Sequence, residues 1–464
     1  VAVRFDVSRV FASVVGEGGI DEARLEALRD RAREAARAVQ AGRGKGPLAF
    51  MELPYETSAL DESRAVWKRL GKGVEDLVVL GIGGSALGTT CLATALLHPL
   101  HNVLPSSKRK KRPRLWVLDN IDPDWFEAHM SFLDPRKTLF DVVTKSGTTA
   151  ETMAQFMIVR KLLERKLGKA FRKRLVCTTD PASGELRKIA TDEGFETLSV
   201  PSGVGGRWSV LSAVGLFPAV ALGMDVEGLL AGAREMDERC RSDSLRENPA
   251  LLQAAILFLA AEKGIRTHVM MPYCQALKDF ADWYRQLLAE SLGKRVSRKG
   301  AIVHAGLTPE KALGVTDQHS QIQLYTEGPF DKLITIVAVE EFSSRAPIPK
   351  VYADSPAVGY LCGKSLAELI AAERAGTEVA LEEAHRPYEV LRLQRLDAHA
   401  LGELIAFAEL SIAYAGELFD VNAFDQPGVE AGKNAAYALM GRKGYEELAR
   451  RLAARRPPEA AHVL

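Results

Sequence analysis

Cysteine is scarce in this chain and poorly placed for bridging. The five, Cys91, Cys177, Cys240, Cys274 and Cys362, are odd in number and include no CxxC pair. A disulfide framework or a thiolate zinc site is therefore not expected, and a reducing, cytoplasmic compartment fits best. Net charge is scarce too. Against 61 Lys and Arg stand 60 Asp and Glu, leaving a formal charge of +1. No global field favours nucleic acid or an anionic membrane surface. Long apolar runs are missing as well. The longest, 213–224, is interrupted by Pro218 and is too short to span a bilayer. The first residues carry no basic segment followed by an apolar one, so no export signal is expected. No HExxH or EF-hand pattern occurs, and His98 and His101 flank Pro99 without a third ligand nearby. No metal and no cofactor is expected.

What is present reads as an ordinary globular protein of two or three domains: 464 residues, 47% hydrophobic and 26% charged. The basic run Lys108-Arg109-Lys110-Lys111-Arg112 has no interleaved aromatics and sits between Ser107 and Pro113, so it reads as a solvated loop and not as a nucleic-acid patch. Residues 1–75 read as helical, with amphipathic patterns at 22–39 and 63–70. Then βα alternation begins. Strands are expected at 76–82, 114–119, 137–144, 174–179 and 195–200, with helices at 85–97, 123–132, 150–167 and 183–192 between them. Such short apolar strands spaced by helices imply a parallel sheet covered on both faces. Helices are expected at 209–222, 226–240 and 249–263. A second series follows: strand 265–271, helix 276–292, strand 300–304, helix 315–326, strand 331–340. A charged helix at 364–386, a strand at 387–393 and helices at 398–419 and 433–453 close the chain.

Two turns in the first series carry chemistry. Leu77-Val78-Val79-Leu80 runs into Gly81-Ile82-Gly83-Gly84-Ser85, and a helical pattern follows. Strand, glycine turn and helix together present backbone N–H groups to an anion. The turn satisfies the loose GxGxxG/A dinucleotide pattern, but Asp119, the best acidic partner, lies too far along the chain. No GK[ST] follows either, which leaves a sugar-phosphate or similar ligand, or a tight turn alone. The second turn, Thr144-Lys145-Ser146-Gly147-Thr148-Thr149, places four hydroxyls and a cation at a helix start. Capping needs one hydroxyl, not four, so phosphate binding is favoured.

Further along, Arg207 sits in a glycine-rich loop just before a helix. From that residue alone, contact with developing negative charge and a surface ion pair stay equally open. Glu290 and Gln286, four apart on one helix, share a face. His319 opens a polar-faced helix rich in glutamine. Asn422 to Glu430, with Gln426 at its centre, forms a polar turn feeding a helix that carries Lys433 one turn in.

Taken together, LGIGGSALG at 80–88, TKSGTTAET at 144–152, GGRWSVLSAVGLFP at 205–218, QLLAESLGK at 286–294, TDQHSQ at 316–321 and FDQPGVEAGK at 424–433 resemble the glucose-6-phosphate isomerase (phosphoglucose isomerase) family, in order, over about residues 50–445. The resemblance implies an α/β fold of two sugar-isomerase (SIS) domains, each a parallel sheet flanked by helices, with N- and C-terminal helical extensions. The expected division is a helical segment 1–60 packing on the second domain, a first SIS domain 61–205, a second 206–400, and a C-terminal helical segment 401–464. It also implies a cofactor-free interconversion of an aldose 6-phosphate and a ketose 6-phosphate by a homodimer.

Its residue roles carry over as follows. Ser85, Thr144, Lys145, Ser146, Thr148 and Thr149 match phosphate-binding positions, and Gly83 and Gly84 give backbone approach. Glu290 matches the base that moves a proton between C2 and C1. Arg207 matches the residue facing the enediolate, and Gln286 and Gln426 match substrate-positioning amides. His319 and Lys433 match residues of ring opening, the histidine coming from the neighbouring subunit. Thr144 stands where many members have serine. Leu292 and Pro427 replace an asparagine and a tryptophan of animal members, which leaves mannose 6-phosphate open as a further substrate. A non-catalytic sugar-phosphate sensor is the competing reading; it would need the phosphate turns but not Glu290, His319 and Lys433.

Overall fold

The computed structural model describes residues 2–455 and 462. Two five-stranded sheets dominate it. The first runs in the spatial order Arg114–Leu118, Asp76–Leu80, Thr138–Val143, Leu175–Thr179, Glu196–Ser199, and every pairing is parallel. Its central strands are buried on both faces, as expected for near-continuous apolar runs. Leu77, Val79, Leu139 and Val143 pack with Val66, Leu70, Ala213 and Phe217 on one face. Val78, Leu80, Phe140 and Val142 pack with Phe156, Val159 and Leu163 on the other. Asp141 is the exception in this core. It is fully buried, takes a hydrogen bond from the Thr178 hydroxyl (2.6 Å), and burial pushes its carboxyl up to about 7.

The order of connections positions the site. From Asp76–Leu80 the chain crosses to Arg114–Leu118 on one side. It then returns to Thr138–Val143 on the other side and moves outward. The direction of winding reverses between Asp76–Leu80 and Thr138–Val143. Beyond the C-terminal ends of strands at such a reversal lies the crevice where α/β sheets bind ligands. The turns at 81–85 and 144–149 follow these two strands, paired through Leu80 and Val142.

The second sheet has the order Val3–Asp6, Tyr388–Arg395, Lys332–Glu341, Thr267–Pro272, Thr308–Lys311. The first pairing is antiparallel and the rest are parallel. Helix Ala398–Leu418, apolar nearly all round, is buried along almost its full length. It packs on helices Val226–Arg239, Pro249–Lys263, Lys278–Leu292 and Arg29–Ala41. Among the described residues no helix is long and apolar enough to cross a membrane. All five cysteines are free, four of them buried.

Several expectations are corrected. The N-terminal segment is not wholly helical: Val3–Asp6 is an edge strand, held because buried Glu403 accepts the amides of Ala2 (3.0 Å) and Val3 (2.7 Å). The pattern at 22–39 forms two helices, Glu22–Ala27 and Arg29–Ala41. The expected strand 300–304 is Ile302–Ala305, largely exposed and paired in a small antiparallel hairpin with Lys294–Val296; Thr308–Lys311 takes the sheet edge instead. The helix expected at 315–326 divides into a 3-10 turn Thr316–Gln318 and a helix Ile322–Glu327. Asp317 there accepts from the Leu313 amide and the Ser320 hydroxyl, local bonds that compete with a continuous helix. The closing helix is two, Pro427–Leu439 and Glu446–Ala453, separated by a turn holding Gly441 and Gly444, and Lys433 lies in the second turn of the first. Helix Ala213–Leu222 does contain Pro218. The proline has no N–H for the Val214 carbonyl four residues back, and the Thr89 hydroxyl donates to that oxygen instead (3.0 Å).

Candidate active site

The most interlocked polar side chain of the crevice is Arg207, only 4% exposed. It lies in the 3-10 turn Gly206–Trp208, directly against the first glycine turn. A Cβ on Gly84 would fall 2.2 Å from the Gly206 carbonyl carbon, so only glycine permits this approach. All five guanidinium N–H donors have acceptors. Nε donates to Ser291 Oγ (2.8 Å), and Nη2 to the carbonyls of Ala423 (2.6 Å) and Asp425 (3.0 Å). Nη1 donates to Glu290 Oε2 (3.0 Å) and Gln426 Oε1 (3.1 Å). Burial holds this guanidinium below its ordinary pKa, opposed by the charges of Glu290 and Asp425.

Glu290 comes from helix Lys278–Leu292, which is held in the core by Trp283, Tyr284, Leu287 and Leu288. Its side chain is 29% exposed. Gln286, one turn earlier, donates from Nε2 to Glu290 Oε1 (3.1 Å), so the helical spacing does place both on one face. Gln286 Oε1 is buried with no protein partner. Glu290 is thus gripped on both oxygens, by an amide from its own helix and by Arg207.

The second turn is built differently. Thr149 precedes helix Ala150–Leu167 but makes no side-chain capping bond. The hydroxyls pair with each other instead: Thr144 with Thr149 (3.1 Å) and Ser146 with Thr148 (2.9 Å). Ser146 and Thr148 are exposed. Gly147 is required at the bend, with φ +67° and space for a Cβ only 2.1 Å from the Leu186 amide nitrogen. Lys145 points away from the hydroxyls. Its Nζ donates to the carbonyls of Ser202 and Val204 (the latter at 2.9 Å), just before the Arg207 turn. Burial holds its pKa below the usual lysine value, with Asp180 opposing. That carboxylate accepts from the Ser202 hydroxyl (2.9 Å) and shapes the same loop.

Single-chain geometry therefore brings together Arg207, Glu290, Gln286 and Gln426, with Gly83 and Gly84 against them. A Cβ on Gly83 would meet the Gln286 amide. Ser85 ends the adjoining 3-10 turn. His319 and Lys433 do not join the group. Lys433 is exposed and pairs with Glu430 one turn back (3.1 Å). His319 is exposed beside an apolar cavity lined by Val315, Phe342, Leu366 and Ile370. The helix bearing Lys433 does reach the second turn, because Tyr437 donates its hydroxyl to the Thr148 carbonyl (3.0 Å). Ser291 and Lys294 are contacts that sequence reasoning did not single out. Both lie inside QLLAESLGK, and nothing in their spacing separates them from solvated residues.

Among the described residues, one group has metal-compatible spacing: Glu235, His399 and Glu403. It belongs to the anchor of the N-terminal strand and not to the Arg207 group.

The sequence profile described as "Phosphoglucose isomerase" matches residues 60–448. The chain is 46% identical over 448 residues to a glucose-6-phosphate isomerase of Carboxydothermus hydrogenoformans, covering 96% of each. It is 45% identical over 432 residues to one of Rubrobacter xylanophilus, covering 92% of this chain and 96% of that one. Among solved structures, a hypothetical protein of Thermus thermophilus superposes with a TM-score of 0.85 at 38% identity, covering 95% of this chain and all of the other. A glucose-6-phosphate isomerase of Chlamydia trachomatis shares the fold, with a TM-score of 0.79 at 24% identity, over 94% of this chain and 90% of that one. With the matched profile covering the first sheet, all of the second but its edge strand Val3–Asp6, and the Arg207, Glu290 and Gln426 motifs, the chain belongs to the phosphoglucose isomerase family.

Proposed function

We propose that the protein interconverts glucose 6-phosphate and fructose 6-phosphate, an aldose–ketose isomerisation of glycolysis and gluconeogenesis, in the cytoplasm. The observation that carries the reading is the Arg207–Glu290 pair, flanked by two amides in a crevice between two polar turns. Family membership supplies the substrate class.

The phosphate is held by the 144–149 turn with Ser85, where hydroxyls now paired with each other exchange onto phosphate oxygens. The open amides of helix Ala150–Leu167 add to this. The anchor's binding energy orients C1 and C2 over Glu290. His319 and Lys433 open the ring as an acid and base pair. As the family resemblance implies, His319 serves the site of a second copy and the working enzyme is a homodimer; the position of His319 outside its own chain's Arg207 group is compatible with that. Glu290 takes the proton from C2 of the open aldose as the C1 carbonyl pair moves onto O1; O1 gains a proton and the O2 hydroxyl gives one up, and as the C2 carbonyl forms the double-bond pair takes the proton back from Glu290 at C1. Arg207 faces the resulting cis-enediolate. Its Nε and Nη2 stay on Ser291 and the two carbonyls, and Nη1 exchanges Gln426 for a substrate oxygen. Gln286 Oε1, buried and unpaired, takes a sugar hydroxyl; leaving such an acceptor unmet costs about 1–3 kcal/mol.

The test supplies fructose 6-phosphate and couples any glucose 6-phosphate formed to NADP reduction, with and without a chelator. Turnover under both conditions is expected. A folded protein with no signal in either would overturn the reading.

A further inference from the structure

Lys294 is a buried lysine that the reaction as described does not use. It is 6% exposed and lies two residues beyond helix Lys278–Leu292, at the start of the small hairpin. Its chain folds back along the helix end. Nζ donates to the carbonyl of Glu290 (2.5 Å) and to the carbonyl of Asp425 (2.6 Å). The Asp425 carboxylate, half exposed, stands 3.4 Å away. The Glu290 carbonyl belongs to the last turn of its helix, where carbonyls lack intrahelical partners and a cation is favoured. The Asp425 carbonyl is also the acceptor of Arg207 Nη2, so one oxygen receives two cations.

This arrangement ties three pieces from distant parts of the chain. Glu290 ends one helix, Arg207 sits in the loop after the first sheet, and Asp425 precedes Gln426 and the helix of Lys433. A lysine kept in so enclosed a place bears a desolvation cost that only its partners offset. Burial, with Arg207 adding to it, holds the Lys294 pKa below the ordinary lysine value, and Asp425 and Glu290 oppose the shift.

We propose that Lys294 is a positioning residue of the isomerase reaction: it fixes the Glu290 backbone against the 422–426 loop and adds a second positive charge beside Arg207 where the enediolate forms. The inference rests on the isomerase reading above. It goes further in assigning a role to a residue that touches neither substrate nor reacting atoms.

The experiment compares full-length wild type with Lys294→Met, Lys294→Gln and Lys294→Arg in the coupled fructose 6-phosphate assay, measuring kcat and KM from pH 5 to 9 after folding is checked by circular dichroism. Lys294→Met and Lys294→Gln are expected to lose about 10–100-fold in kcat with KM changed by less than about threefold. Lys294→Arg is expected to recover most of the lost kcat. Unchanged kcat in the neutral variants, or a loss that falls on KM alone, would overturn the inference. So would failure of both neutral variants to fold, since the lysine would then hold the chain and not the site. Wild-type protein inactive from the outset would defeat the isomerase reading itself, whereas active wild type matched by Lys294→Met defeats only this inference.

Discussion

The Arg207 cluster and the 144–149 turn are made in opposite ways. Around Arg207 every guanidinium donor is occupied and the arginine is almost fully buried. In the turn the hydroxyls hold one another, exposed Ser146 with Thr148 and buried Thr144 with Thr149, and none caps the helix behind them. A group that must meet charge developing during the reaction gains from being fixed beforehand, since it need not reorganise at that moment. If the turn is the phosphate anchor proposed above, it has only to bind, and loosely paired hydroxyls would exchange onto phosphate at little cost.

Substitution in the cluster should give the largest effect. Glu290→Gln keeps the shape and the Arg207 contact but removes the base. Turnover in the coupled assay is expected to fall by at least about 10²–10⁴, while fructose 6-phosphate binding by calorimetry is largely retained. Wild-type turnover in this variant would remove Glu290 from the role of base. Ser146→Ala, in the turn, is expected to act mainly on KM, raising it about 10-fold, as loss of one hydrogen bond to a charged group would, about 1.5–3 kcal/mol at most. A matching fall in kcat would show that the turn stabilises the transition state as strongly as the cluster does, and the contrast would dissolve.

The smallest effect on turnover lies beneath the turn, in Asp141, three residues before Thr144, where the change is in stability. Its carboxyl is pushed by burial up to about 7, against about 3.9 in an unfolded chain. Between these values the native state binds the extra proton, so stability falls as pH rises from about 4 to about 7, by roughly 1.4 kcal/mol per unit. Asp141→Asn should flatten that part of the melting-temperature profile while leaving kcat at its optimum unchanged. A profile identical to wild type would mean that Asp141 does not carry the titration.

How much of this was legible in the sequence differs by element. The first sheet was readable because its strands are continuous apolar runs punctuated by glycine and hydroxyl turns, and the helix 150–167 begins and ends where its pattern does. Val3–Asp6 alternates apolar and polar residues, but four residues are too short a run to stand out; they become a strand by antiparallel pairing with Val390–Leu393, with buried Glu403, some 400 residues away, taking the amides of Ala2 and Val3. Likewise Ile302–Ala305 has strand composition, yet the sheet edge goes to Thr308–Lys311, a choice made by pairing with Thr267–Met270. His319 was expected at the head of a helix and lies just past a 3-10 turn, because Asp317 diverts the local hydrogen bonds.

Sequence by itself determined the elements of the crevice: the glycine turn, the hydroxyl turn, the Glu290 and Gln286 face, and Arg207 in a loop that admits close approach. These are local properties, set by periodicity and by residues that only certain backbone conformations accept. The tertiary structure decided that Asp76–Leu80 and Thr138–Val143 are neighbours at the reversal of the sheet, and that Arg207 lies on Glu290 and not on the surface. It also decided that Lys294 and Ser291 belong with them. The contacts of Arg207 join residues some 80 to 220 positions apart. Their partners are selected by how layers pack, which no local pattern encodes.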